Sequence, residues 1–337
     1  MDHRRIGFIG LGRMGAPMVR RLVTSGYTVT AYDVREEAVG AARRAGAGAA
    51  ESAAGVAAGA DAVITMLPDG GAVSRVAYAP GGLIAALRPG QVLLEMTSSH
   101  PRVTRRIAAD VAPRGVGMLD APVSGGVRGA EEGTLCLMVG GRRDVLDACR
   151  PILRCFGNVV HVGDAPGDGD TAKTINNLLS ATALWSAAEA FALAIKAGLS
   201  PQRLLEAVNL STGRSYTTEV KFPRYILPRR FNAGFTVGQY LKDLNICLDV
   251  ADELQAPMLL GTLVRQVWAV AAREGLADAD HTALITLLER WMGNAAPAEE
   301  SGPSCSGRTP PRSRMRTPRR GKLPRAATSS DAGTSLG

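Results

Sequence analysis

Cysteine is sparse in this 337-residue chain, and none of it is arranged for metal or disulfide chemistry. Cys136, Cys149, Cys155, Cys247 and Cys305 are scattered, with no C-x-x-C pair and no histidine at zinc spacing. That excludes a zinc module, gives no metal site, and points to reduced thiols in a cytoplasmic protein. The segment Met1–Arg5 runs straight into Ile6–Ile9 with no apolar stretch before a cleavage site, so no signal peptide is expected. No uninterrupted apolar run of about 18 residues marks a membrane span. The most apolar stretch, Leu178–Ala197, holds Glu189 and Lys196 and fits a buried helix. No internal repeat is present.

A basic excess is also missing where nucleic-acid binding would need it. The net charge is +8, but residues 301–337 hold eight basic groups against Asp331 alone, which leaves the body almost neutral. The body therefore has no means of gripping a phosphate backbone, and only the tail keeps an anionic partner open. The tail itself, residues 295–337, is rich in Pro, Ser, Arg, Gly and Thr, lacks large apolar groups and is expected to be disordered.

What is present is an alternation. Ile6–Ile9, Thr28–Tyr32, Ala62–Met66, Val92–Glu95, Met118–Ala121, Leu135–Val139 and Val159–Val162 read as strands. Helical stretches such as Ala16–Ser25, Glu36–Ala45 and Pro101–Ala112 lie between them. The expectation is an α/β, doubly wound, mostly parallel sheet over residues 1–163. Beyond Gly163 no strand is legible. Asp170–Ala197 reads as one long helix ended by Gly198, Ser200-Pro201 starts another, and helices follow near 239–253, 258–274 and 282–292. Residues 164–294 are thus expected to form an all-helical domain. The long helix is apolar on nearly every face and should be covered all round, between the domains and a partner subunit.

The first strand runs into Gly10-Leu11-Gly12-Arg13-Met14-Gly15 and then a helix, which is G-x-G-x-x-G in the context it needs. Asp33 ends the second strand at about the ~20-residue spacing of a ribose-binding acid, which favours NAD. Arg35 beside it keeps NADP open, and a surface acid in a turn is the plain alternative. Leu67-Pro68 and Thr97 follow two further strand ends, where a cofactor cleft would lie. Asp120–Gly126 closes the next strand, and the backbone at Ser124, Gly125 and Gly126 either forms an anion-binding nest or is a simple turn. Lys173, Asn176 and Asn177 share one face of the long helix, since spacings of three and four align. A partly buried Lys173 suits a general base for an alcohol; an exposed lysine at a helix start is the other reading. His3, His100, His161 and His281 show no ligand spacing.

Four segments together resemble the signatures of the β-hydroxyacid dehydrogenases: Gly7–Gly15, Asp120–Gly126 with Gly129–Leu135, Lys173–Asn177, and Lys242-Asp243-Leu244. The resemblance spans roughly residues 5–293. It implies a Rossmann domain followed by an all-helical domain, in dimers or tetramers. By matching position it implies Lys173 as the catalytic acid/base, Ser124, Gly125, Gly126, Asn176 and Asn177 on the substrate, and Lys242 and Phe235 at the nicotinamide end. The implied reaction is hydride transfer between NAD(P) and a short 3-hydroxy acid. Imine reductases share the architecture but usually lack the lysine, and a cofactor-binding scaffold would have lost it. Departures from the pattern are the acids of Gly167-Asp168-Gly169-Asp170 and the segment Ser211–Ser215, whose Arg214 is a candidate for substrate selection.

Overall fold

A computed structural model describes residues 5–293 of the chain. The disorder expected for residues 295–337, the end of the helical domain at 294, His3 and Cys305 lie outside the described residues. Nine strands form one sheet: β1 (Arg5–Ile9), β2 (Thr28–Tyr32), β3 (Gly48–Ala49), β4 (Ala62–Thr65), β5 (Val92–Glu95), β6 (Gly117–Asp120), β7 (Val123–Ser124), β8 (Leu135–Gly140) and β9 (Gly157–Gly163). Their order is β3-β2-β1-β4-β5-β6-β8-β7, with β9 on β8. Pairing is parallel except where β8 meets β6 and β7. The sheet is mostly parallel and doubly wound, as its sequence implies.

Both faces are covered. The helices of this half are α1 (Gly15–Thr24), α2 (Glu36–Arg44), α3 (Ala53–Ala57), α4 (Gly70–Tyr78), α5 (Leu83–Ala86), α6 (Pro101–Val111), α7 (Gly126–Glu132) and α8 (Arg143–Arg154). Strand side chains alternate between two cores. Ile6 and Phe8 of β1 pack with Met18 and Leu22 of α1, while Ile9 packs with Val56 and Val73 on the other face. Strands β3 and β7, two residues each, and helices such as α4 and α8 were not legible as separate elements.

The second half is built on α9 (Asp168–Lys196), with α10 (Pro201–Asn209), a π-helix at Thr217–Ile226, α11 (Val237–Glu253), α12 (Leu259–Ala271) and α13 (Ile285–Met292) around it. Its core centres on Trp268, Phe191 and Phe222. Gly198 takes a left-handed φ of 80° after α9, and Ser200 caps α10 with Pro201 at its first turn. Three helix bounds shift. The long helix starts two residues earlier than read, α12 loosens into a wide turn at Ala272–Leu276 where Gly275 has φ 91°, and α13 is preceded by a 3-10 turn at His281–Leu284.

By length and composition α9 could cross a membrane. In this chain its inner side is core and site: Lys173, Asn177, Ala181, Leu184 and Phe191 are buried. Among the described residues its outer side is not covered, for Ile175, Leu179 and Leu193 are 50%, 66% and 62% exposed. The cover expected all round is therefore only half supplied.

Candidate active site

The glycine turn is fixed by contact. A Cβ at Gly10 would lie 2.2 Å from the Met66 carbonyl oxygen, and one at Gly15 would lie 1.9 Å from that of Gly10. Around Gly12 there is open space, with nothing within 4 Å of an added Cβ. Two glycines close the turn and the third leaves room at the start of α1, which is how a pyrophosphate is admitted. Leu11 donates its amide to Asp33 Oδ2 at 2.7 Å. Arg35 donates to Asp33 Oδ1 from its amide and its Nε, at 2.9 and 3.1 Å. Burial works against the Asp33 charge, but the bonds from Arg35 and Leu11 outweigh it and hold the carboxyl below its ordinary range. Asp33 is thus a carboxylate at the edge of the turn. Arg13 is exposed, with its guanidinium against Gly234 of the helical half, and Met14 packs on the sheet core.

Thr97 is buried, and its hydroxyl accepts the Leu67 amide at 3.0 Å, tying the loop after β4 to the loop after β5. Leu67 and Pro68 stand on that braced loop. Lys242 on α11 reaches the same loop and donates to the Ser98 carbonyl at 3.0 Å. It also pairs with Asp243 at 2.9 Å, so one lysine joins the helical half to the strand ends.

Asp243 lies at the centre of the constellation. It is 1% exposed, and its Oδ2 accepts from Asn177 Nδ2 at 2.6 Å. Sequence alone reads Lys242-Asp243 as a solvated pair; the structure buries the acid between Lys242, Asn177 and Lys173. Lys173 is 8% exposed. Burial lowers its pKa to about 8, with Asp243 opposing that shift and Lys242 adding to it. Asn176 donates to Asn177 Oδ1 at 3.2 Å, so the two amides and the acid form a short chain beside the amine.

The acids preceding Lys173 are structural ties. Asp120, at the end of β6, accepts the amides of Gly167 and Asp170 at 2.8 Å each. Asp170 is fully buried and accepts from Thr104 Oγ1 at 2.6 Å and from the Ser99 amide at 3.3 Å. Asp168 takes the Ala165 amide at 3.0 Å. Glu95, also fully buried, takes the Thr97 amide at 2.8 Å and leaves Oε2 without a hydrogen-bond partner. Burial pushes Glu95 up to about 8 and raises Asp120 and Asp170. A Cβ at Gly169 would come within 2.4 Å of the Met138 carbonyl, so the first turn of α9 presses on the sheet. The family-divergent Gly-Asp-Gly-Asp run thereby bolts α9, the helix that carries Lys173, to the strand ends.

The Ser124–Gly126 turn has φ values of 133° at Gly125 and 66° at Gly126, which only glycine adopts readily. The carbonyl of Ala233 faces Gly126, so the loop carrying Phe235 lies against this turn. Phe235 packs edge-on against Tyr240, with ring centroids 4.9 Å apart. His281 Nδ1 sits 2.9 Å from the Phe235 carbonyl at the start of its 3-10 turn, the structural place read for it. Arg214 is exposed.

A glycine turn open to a pyrophosphate, an acid at the second strand end and a buried amine where two halves meet define a nicotinamide-dependent dehydrogenase. Residues 5–163 match the family model described as the NAD binding domain of 6-phosphogluconate dehydrogenase. Residues 167–288 match that of the NAD-binding region of NADP-dependent 3-hydroxyisobutyrate dehydrogenase. The chain is 39% identical over 290 residues to 2-(hydroxymethyl)glutarate dehydrogenase of Eubacterium barkeri, covering 86% of this chain and 96% of that one. It is 36% identical to mitochondrial 3-hydroxyisobutyrate dehydrogenase of Mus musculus, covering 84% and 86%. Among solved structures, Mycobacterium tuberculosis 3-hydroxyisobutyrate dehydrogenase with L-serine superposes with a TM-score of 0.79 at 35% identity, covering 85% and 99%. Imine reductases share the fold alone, at 18–21% identity. The chain belongs to the β-hydroxyacid dehydrogenase family, and its cofactor is NAD or NADP.

Proposed function

We propose that this protein oxidises a short 3-hydroxy acid to the aldehyde or keto acid with NAD, and runs the reverse reduction, using Lys173 as acid/base. One observation carries the reading. A buried amine with its pKa lowered to about 8 stands beside an Asn177–Asp243–Lys242 chain that reaches the loop after β5 through the Ser98 carbonyl. The relatives named above act on such acids by their names.

When bound, the nicotinamide cofactor supplies the hydride acceptor. Gly10, Leu11, Gly12, Arg13, Met14 and Gly15 would hold its pyrophosphate, Asp33 its adenosine ribose, and Leu67, Pro68, Thr97, Lys242 and Phe235 its nicotinamide half. Asp33 as a paired carboxylate favours the free 2′-hydroxyl of NAD over a 2′-phosphate. The Ser124–Gly126 turn takes the substrate carboxylate on its amides and the Ser124 hydroxyl. Neutral Lys173 accepts the alcohol proton on Nζ, and protonated Lys173 returns it to the carbonyl oxygen in the reduction. Asn177, fixed by Asp243, and Asn176 hold the alcohol against that amine. Asp243 keeps the lysinium form within reach by opposing its burial. A second copy of the chain is taken to cover the outer face of α9.

NAD and NADP reduction across a panel of short hydroxy acids tests the reading. Turnover with 3-hydroxyisobutyrate, L-serine or 2-(hydroxymethyl)glutarate, faster with NAD than with NADP, is the expected result. Tight cofactor binding with no acid oxidised would remove it.

A further inference from the structure

One buried cation is not used by this mechanism. Lys221 sits in the π-helix Thr217–Ile226, is 5% exposed, and extends its amine to Ser180 Oγ at 3.0 Å and Tyr240 OH at 3.3 Å. Those two hydroxyls lie 2.9 Å from each other. An ammonium has three N–H groups, and here two find hydroxyl acceptors while the Tyr240 ring, its centroid 5.4 Å from the amine, is the remaining neutral partner. Both acceptors are neutral, and burial holds the Tyr240 hydroxyl up at about 12. Among the described residues no carboxylate forms an ion pair with Lys221. The nearby Asp280 is committed to the amides of Gly234 and Thr282 and to the Thr282 hydroxyl. His281, beside it, is held down to about 4 by burial and by Lys221 itself, so it stays neutral and offers no counter-charge. A buried cation without a counter-ion is costly and calls for one.

Its place in the fold says where that counter-ion comes from. Ser180 lies three and four positions beyond Asn177 and Asn176 on α9, the same face one turn along. Tyr240 lies one turn before Asp243 on α11. The Lys221–Ser180–Tyr240 group is thus the next rung of the α9–α11 seam after Asn177–Asp243. Phe235 stacks edge-on against Tyr240, and its loop runs back to Gly126, where the first carboxylate is placed. A π-helix is a recurrent mark of a functional site, and Pro223 within this one removes a backbone donor that would favour a regular turn.

We propose that Lys221, with Ser180 and Tyr240, forms a second anion subsite that takes the distal carboxylate of a hydroxy diacid. This rests on the dehydrogenase reading and narrows its substrate class. One to two helical turns separate this rung from Asn177 and Lys173, about 5–10 Å, the span of a glutarate-sized chain. Burial lowers the Lys221 pKa to about 8, with Asp280 opposing, so the cation is present below that pH and lost above it. Tyr240, His281 and Asp280 are the titratable groups facing it. Tyr240 and His281 stay neutral across this range, and Asp280 stays charged because hydrogen bonds from the Thr282 hydroxyl and from the amides of Thr282 and Gly234 help hold its pKa down against burial.

The test compares kcat/KM for 2-(hydroxymethyl)glutarate with that for 3-hydroxyisobutyrate, using the full chain with NAD, in wild type and Lys221→Met. The wild type is also followed from about pH 6.5 to 9.5, which needs no variant to fold. Titration of Lys173 enters both substrates alike and cancels in the ratio. The expected result is a preference for the diacid that falls roughly 10- to 100-fold in Lys221→Met, mainly through KM, and that declines as pH rises through about 8. A wild-type preference for the monoacid, or a ratio indifferent to both the substitution and pH, overturns the subsite and leaves the dehydrogenase standing. Oxidation of neither acid overturns the dehydrogenase reading and the subsite with it.

Discussion

A lysine at an exposed helix start and a lysine used as a base look alike in a sequence; burial separates them. Lys173 is 8% exposed and Asp243 is 1% exposed, and each changes the meaning of the other. Without Asp243 the buried amine would have little reason ever to be charged. Without Lys173 and Lys242, Asp243 would be an unpaired buried acid. Lys173 and its two asparagines were legible because helical periodicity puts them on one face. The burial and partners of Asp243, which stands in a signature segment, and of Lys221 were not, because each is defined by a partner on another element. The Asp243–Asn177 bond spans 66 positions and the Lys221–Ser180 bond 41, and no local pattern announces either. Arg214 shows the converse: its sequence context makes it a candidate, and it lies at the surface while Lys221, seven positions on, is buried.

At the scale of elements, α9, the helix that carries Lys173, is held by its first turn. Asp120, Asp170 and Glu95 converge there from β6, α9 and β5, and burial raises all three. Glu95, with Oε2 lacking a partner, is the group best kept protonated. Its folded pKa of about 8 against an ordinary 4.5 makes its contribution to stability complete below pH 4.5 and lost as pH rises toward 8, because the unfolded chain releases a proton that the folded one keeps. Glu95→Gln cannot ionise. Its melting temperature should therefore gain on wild type between pH 5 and pH 8 by roughly 2–4 °C or more. Parallel melting curves across that range would show that the trio stores no such proton. Strands of four or more residues could be read from their β-branched runs, and so could helices with clear start and stop residues. Two-residue strands such as β3 exist only through their neighbour in the sheet, and the π-helix at 217–226 packs against α9, α10 and the 3-10 turn at His281–Leu284.

At the scale of the whole molecule, the sheet and the helical half meet where the first turns of α9 pack on β8 and β9, tied by Asp120 and Thr104 to Asp170, and again where Lys242 reaches Ser98. The helical half also presents large exposed side chains: Ile175, Leu179 and Leu193 on α9, and Leu259, Leu260 and Leu263 on α12. An apolar face of that extent marks an interface in a globular protein. Sedimentation equilibrium should find a dimer or larger assembly at micromolar concentration, and Leu179→Glu with Leu193→Glu should weaken it; a monomeric wild type would contradict the second copy proposed over α9. The central claim is that Lys173 exchanges the substrate proton. The most direct measurement is kcat/KM for hydroxy-acid oxidation against pH, in wild type and in Lys173→Ala with cofactor binding followed in parallel. The wild-type rate should rise as pH climbs through about 8, where Lys173 becomes neutral. The variant should bind cofactor, lose roughly 100- to 10,000-fold in rate and lose that pH step. A Lys173→Ala enzyme that keeps both the rate and the step would place the acid/base elsewhere.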